Sequence, residues 1–154
     1  MTYTQPPPLN KEDIEAFLKE AKIARFCSLN EDGTIHAAPV WFIYKNGSIA
    51  IGTPAATRKV RNVKHNKNVT VLVDDPETAK GVLIYGKAEL DYNYDIQEAI
   101  EIYEKYMPKE QAEKFAQGLS KASKGGGVKI NVKPERVISF DTTKDSALEA
   151  ASKG

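Results

Sequence analysis

The chain has 154 residues, 41% of them apolar and 28% charged, values of an ordinary globular domain able to bury a core without covalent staples. Its 22 basic and 21 acidic residues leave a net charge of +1, which argues against a protein that coats nucleic acid. The single cysteine, Cys27, excludes an intramolecular disulfide framework and a multi-cysteine metal site. No segment approaches the ~20 apolar residues of a membrane span, and "MTYTQPPPLN" holds no apolar run of signal-peptide length; the expectation is a cytoplasmic protein with no membrane partner.

Pro6 to Pro8 read as a stiff, extended lead-in to a first helix that Asn10 can cap. Ile14, Phe17, Leu18 and Ala21 then recur at helical period and give that helix one apolar stripe. "ARFCSLN" predicts a short strand closed by a turn at Glu31 to Gly33, followed by a second strand over "TIHAAPVWFIYK". Asn46-Gly47 is the strongest turn signal in the chain, and "SIAIGT" is the return strand. A helix from about Thr57 to Asn66 precedes "NVTVLVDD", a strand rich in β-branched residues. "GVLIYGKAELDY" predicts a long strand with Gly86 at a bend or bulge. Asp95 to Ser120 is helical, interrupted at Met107-Pro108. "KGGG" at Lys124 to Gly127 marks a hinge, and "VKINVKPERVISFD" supplies one strand, or two divided near Pro134. Strands outnumber helices and no phosphate-binding glycine fingerprint follows a strand, so the pattern is mainly β: an antiparallel barrel with peripheral helices. Residues 1–141 are expected to form a single domain, and residues 142–154 a frayed tail.

The stretch "TPAATRKVRNVKHNKN" carries the most informative local conflict. Arg58 and Lys59 fall in the first turn of the predicted helix, the end already made positive by the helix dipole. Two cations there cost stability unless an anion joins them. Exposed N–H groups, a threonine hydroxyl, a guanidinium and an ammonium would then converge on one oxyanion, most plausibly a phosphate. The competing reading is a solvated basic helix face. A nucleic-acid reading would use Lys64, Lys67, Asn62 and Asn66, but the flanks "VDDPE" and "ELDYNYD" are acidic and no nucleic-acid-binding signature accompanies them. Upstream, Pro39 within "HAAPVWFIY" predicts an edge or bulge, where free backbone groups beside an aromatic surface can grip a planar heterocycle; Trp41 and Phe42 read equally as core.

"AKIARFCSLNEDGTIHAAPVWFIYKNG", the spacing of Thr53, Arg58 and Lys59, "RNVKHNKNVTVLVDD" and "VLIYGKAEL" occur in an order that resembles the pyridoxamine 5'-phosphate oxidase-like family. The resemblance spans roughly residues 12 to 92. It implies an FMN-binding split β-barrel, Greek-key, of about six to seven strands. It further implies a homodimer with flavin sites at the interface and an oxidoreductase activity fed by a nicotinamide donor or another reductant. By this resemblance the strand holding Ala38, Pro39, Val40 and Trp41 lies along the flavin ring, Thr53 lies close to the cofactor, and Arg58 and Lys59 bind its phosphate. A deazaflavin is the alternative cofactor.

Departures accompany the match. Where the authentic oxidases carry Arg and Lys at the two ends of the flavin strand, this chain has Ala37 and Phe42; Gly81 replaces a Gln, and "INVKPERVISFDTTKD" has no counterpart of the oxidase's substrate segment. Vitamin B6 oxidation is therefore not expected. His36 and His65, the only histidines, share no metal-ligand spacing, so no metal site is expected; no Ser-His-acid arrangement exists and no catalytic acid or base is assigned. In a flavoprotein the ring does the redox work and the protein supplies position and cavity. A flavin-sensing protein without turnover, or a haem-binding split barrel using one of the two histidines, are the other readings.

Overall fold

In the computed structural model, which describes residues 6–20 and 23–153, Asn10 opens the first helix, α1 (Lys11–Lys19), by accepting a hydrogen bond from the Asp13 N–H at 2.8 Å. Phe17 and Leu18 carry its buried stripe; Ala21, predicted to extend it, lies outside the described residues. The strands are β1 (Ala24–Leu29), β2 (Ile35–Val40), β3 (Ile43–Lys45), β4 (Ser48–Pro54), β5 (Asn68–Asp75), β6 (Lys80–Asp91) and β7 (Gly127–Asp141). The remaining helices are α2 (Arg58–His65), α3 (Ile96–Glu104), α4 (Lys109–Ala122) and α5 (Ser146–Ser152). Residues 142–154, expected as a frayed tail, include a 3-10 turn at Thr142–Lys144 and α5, whose N-cap Asp145 accepts from the Ala147 N–H.

All seven strands join one antiparallel sheet in the order β2-β1-β5-β6-β7-β4-β3. The two edge strands, β2 and β3, are consecutive in sequence, with Trp41 and Phe42 alone between them. Three Cα steps reach about 11 Å at most, so the sheet has to curl until its edges meet. That closure is the split barrel, and the fold is mainly β with peripheral helices. Its interior is filled by the inward positions of every strand, among them Phe26, Ile49, Ile51, Val71, Val73, Ile84 and Ile130, each 0–1% exposed.

Residues 34–45, expected as a single strand, are thus broken at the seam. Phe42 enters the barrel core, whereas Trp41 turns to the α3–α4 layer, stacked on Tyr106 with ring centroids 5.1 Å apart. The backbone freed by the break is satisfied by side chains. The Tyr106 hydroxyl accepts from the Phe42 N–H and donates to the Phe42 carbonyl, both at 3.0 Å. Lys105 donates to the carbonyls of Phe42 (3.3 Å) and of Leu18 at the end of α1 (3.0 Å), its ammonium 3.6 Å from the centre of the Phe42 ring. The predicted irregularity at Gly86 is a register shift between Tyr85 and Gly86, opposite Arg136 and Pro134, and β7 runs through it as one strand. The helix break at Met107-Pro108 separates α3 from α4 as predicted.

Burial pushes the Lys105 ammonium down to about 8, below the ordinary lysine value of ~10.4 that it regains on unfolding. Between these values the unfolded chain binds more protons than the folded one, so this group makes stability rise as pH climbs from about 8 toward 10. Tyr106, held up to about 12 by burial, stays neutral across that window. Urea unfolding at pH 8 and pH 9.5 should show wild-type protein gaining stability relative to Lys105→Met, whose seam carries no group that titrates in that window; parallel pH profiles of the two proteins would refute this.

Candidate functional site: the start of the second helix

Beyond Pro54, residues 55–57 carry the chain into α2. Val60 and Val63 plug one end of the barrel, and Asn62, 2% exposed, donates from Nδ2 to Ser28 Oγ (3.1 Å) and Asn30 Oδ1 (2.9 Å). This polar clamp ties α2 to β1 and the turn that follows it. Asn62, weighed in the sequence as a surface donor for nucleic acid, is therefore an internal strut.

Thr57 has the extended backbone of an N-cap (φ −84°, ψ 155°), yet its side chain makes no capping bond, and the first turn contains no acid. Its hydroxyl lies 3.4 Å from that of Thr53, which is 7% exposed on β4. Arg58 and Lys59 follow directly. Neither makes a hydrogen bond or ion pair with another described residue, in contrast with their neighbours: Arg61 and His65 both reach Glu31, at 3.2 and 3.1 Å, and Lys64 lies over the Tyr92 ring. Arg58 is exposed; Lys59 is half-buried, and that burial pushes its ammonium below the ordinary lysine range. The helix start thus gathers uncapped N–H groups, two hydroxyls and two cations with no bonded acid, Arg58 feeling the Asp32 carboxylate only through space.

Arg58 borders two depressions. One runs along α2 beside Ala55, Thr57, Arg61 and Lys64; the other reaches Asn30, Asp32 and His36, and so joins the helix start to β2. Ala38 lies two residues beyond His36, about 7 Å along the strand. Of the β2 residues singled out in the sequence, Val40 is buried, Ala38 half-buried and Pro39 exposed. An edge strand tolerates Pro39 because half of its backbone groups face away from the sheet. The Trp41 side chain is engaged by Tyr103, Tyr106 and Phe115 in the helical layer. The fold brings Thr53, Thr57, Arg58 and Lys59 together and sets β2 alongside through His36. Gly81 also has a structural reason: a Cβ there would lie 2.2 Å from the Phe140 ring, so a Gln cannot occupy it without displacing that ring.

Residues 11–139 match the model of the pyridoxamine 5'-phosphate oxidase family. The chain belongs to that family. Among solved structures, a conserved hypothetical protein of Mycobacterium tuberculosis is similar at 19% identity with a TM-score of 0.75, covering 93% of this chain and 92% of its own. An F420 reductase is similar at 20% identity (TM-score 0.65; 80% and 94% covered), and an FAD-binding protein of Mesorhizobium loti at 15% (TM-score 0.61; 89% and 96%). No curated protein matches the chain. As a member of the pyridoxamine 5'-phosphate oxidase family it has a flavin-binding fold, and among the described residues no helix is long and apolar enough to cross a membrane.

One residue that positions the site was not singled out for it from the sequence. Asn62 carries no local signal beyond falling between two buried valines.

Thr57→Asp would place an acceptor at the uncapped helix start. It should stabilise the phosphate-free protein by about 0.5–1 kcal/mol. Added phosphate should then raise the melting temperature of the wild type and leave that of the variant unchanged; equal phosphate responses would contradict the anion role of this helix end.

Proposed function

We propose that this chain is a flavin-dependent oxidoreductase that holds the phosphate of FMN at the start of α2, between Arg58, Lys59 and the hydroxyls of Thr53 and Thr57. The observation that carries this reading is the pair of unpartnered cations at an uncapped helix N-terminus. A phosphate there would accept from the free N–H groups and restore the charge balance that burial denies Lys59. The ring would lie along β2, against Ala38, Pro39, Val40 and the Trp41 backbone, reached through the depression between Arg58 and His36. When bound, the flavin supplies hydride and electron transfer. The chain's residues bind and orient it, and the barrel wall shields one side from water. A deazaflavin is the second reading, since the cation pair would serve its phosphate equally and one similar structure is an F420 reductase.

The outer face of the sheet supports a homodimer as part of this reading. By register, Ile35 and Ala37 on β2 face the same way as Leu29 and Cys27 on β1, and Thr70 and Tyr85 continue that face across β5 and β6. Ile35 is 70% exposed and Tyr85 40%, and one hollow is lined by Cys27, Leu29, Ile35 and Tyr85. A second copy of this chain covering the patch would bury apolar surface beside β2 and enclose the ring. The proposed location is cytoplasmic.

Two outcomes test the reading. Arg58→Ala and Lys59→Ala should each weaken FMN binding by about 1.5–3 kcal/mol in isothermal titration, the scale of a charge-assisted hydrogen bond; unchanged affinity in both removes the phosphate role. Ile35→Lys should convert a dimer to a monomer in analytical ultracentrifugation, whereas a wild type that sediments as a monomer sinks the shared-site arrangement.

A further inference from the structure

Three cations of α2, Arg58, Arg61 and Lys64, recur at every third residue and line one hollow of about 400 Å³, together with Ala55, Ala56 and Thr57. No acid lines that hollow, and α2 itself contains none. Residues three apart on a helix have Cβ atoms about 5–6 Å from each other, so like charges at that spacing repel. Arg58 and Lys64 make no hydrogen bond or ion pair with another described residue, and Lys64 has only the Tyr92 ring, its ammonium 5.7 Å from the ring centre. Arg61 commits Nη2 to Glu31, with both side chains more than half exposed. Such an exposed pair adds little stability, and the guanidinium keeps further N–H donors for a second acceptor. What separates this arrangement from a merely solvated basic face is that the three side chains border a common hollow rather than separate stretches of surface.

Arg58 belongs both to this hollow and to the phosphate position proposed above, so an anion at the start of α2 lies at the edge of the hollow. Along the helix axis, Arg61 follows Arg58 by about 4.5 Å and Lys64 by about 9 Å. Helical side chains lean toward the N-terminus, which brings the long Lys64 stem back over the hollow it lines. A single phosphate on Arg58 and Lys59 leaves Arg61 and Lys64 without an anion. A second phosphate, joined to the first through one bridging oxygen, would lie between Arg58 and Arg61 and within reach of Lys64.

We infer that the hollow along α2 is a second phosphate subsite, and that the flavin held here is a dinucleotide whose diphosphate runs from Arg58 toward Lys64. The inference rests on the flavin reading and refines which flavin is held; the FMN half keeps the place proposed above.

The test is isothermal titration of the full-length protein with FMN and with FAD at about 0.15 M salt, where charges are screened over about 8 Å. Wild type should bind FAD at least about tenfold more tightly than FMN. Lys64→Gln should weaken FAD about fivefold or more and leave FMN within about twofold, because Lys64 stands a screening length beyond Arg58. Lys67→Gln, which removes the same charge outside the hollow, should leave both affinities within about twofold. FAD bound no more tightly than FMN overturns the second subsite and leaves the flavin reading standing. So does a Lys64→Gln variant that keeps full FAD affinity, weakens both flavins equally, or loses no more than Lys67→Gln. A wild type that binds neither flavin overturns the flavin reading and the subsite with it.

Discussion

Two residues, Trp41 and Phe42, join the opposite edges of a seven-stranded sheet. A link that short cannot cross a flat sheet, so the barrel is a consequence of chain connectivity as much as of side-chain burial. The closure leaves a seam where β2 and β3 do not pair, and the chain meets the cost of the unpaired backbone with Tyr106 and Lys105. It also fixes where function can sit: β2 keeps a free outer edge along one side of the seam, and one depression joins its His36 to Arg58 at the start of the helix that follows β4.

The second constraint is the orientation of α2. Val60 and Val63 bury its inner face, and Asn62 locks it to Ser28 and Asn30. With the helix so held, Arg58 and Lys59 stay in the turn at its positive end, and no acid of that turn relieves them. The electrostatic conflict is built in by packing. Under the proposed function it is resolved by a ligand, a division of labour in which the barrel provides rigidity and the helix start provides charge.

Much of this was legible in the sequence because it rests on local signals. Asn10 as a cap, the turn at Asn46-Gly47, the irregularity at Gly86 and the break before Pro108 each follow from one or two residues, and the structure has all of them. The cation pair is visible in the sequence itself as a contradiction of dipole logic. What was not legible depends on contacts distant in sequence. The break at Trp41-Phe42 interrupts an unbroken run of strand-forming residues and arises only when both sheet edges are placed. The Asn62 clamp spans more than thirty positions. The Tyr94 hydroxyl lies 2.2 Å from where a Cβ on Gly52 would stand, a closeness that exists only in the folded barrel and that neither residue advertises in its own neighbourhood.

The most direct test of the central claim is the visible absorption spectrum of the purified protein, followed by mass spectrometry of what heat or acid releases. The account predicts a flavin-type spectrum, as isolated or after incubation with FMN, and a released cofactor bearing a phosphate. A colourless protein that also fails to take up FMN or a deazaflavin would contradict it and leave the cations at the start of α2 without a ligand.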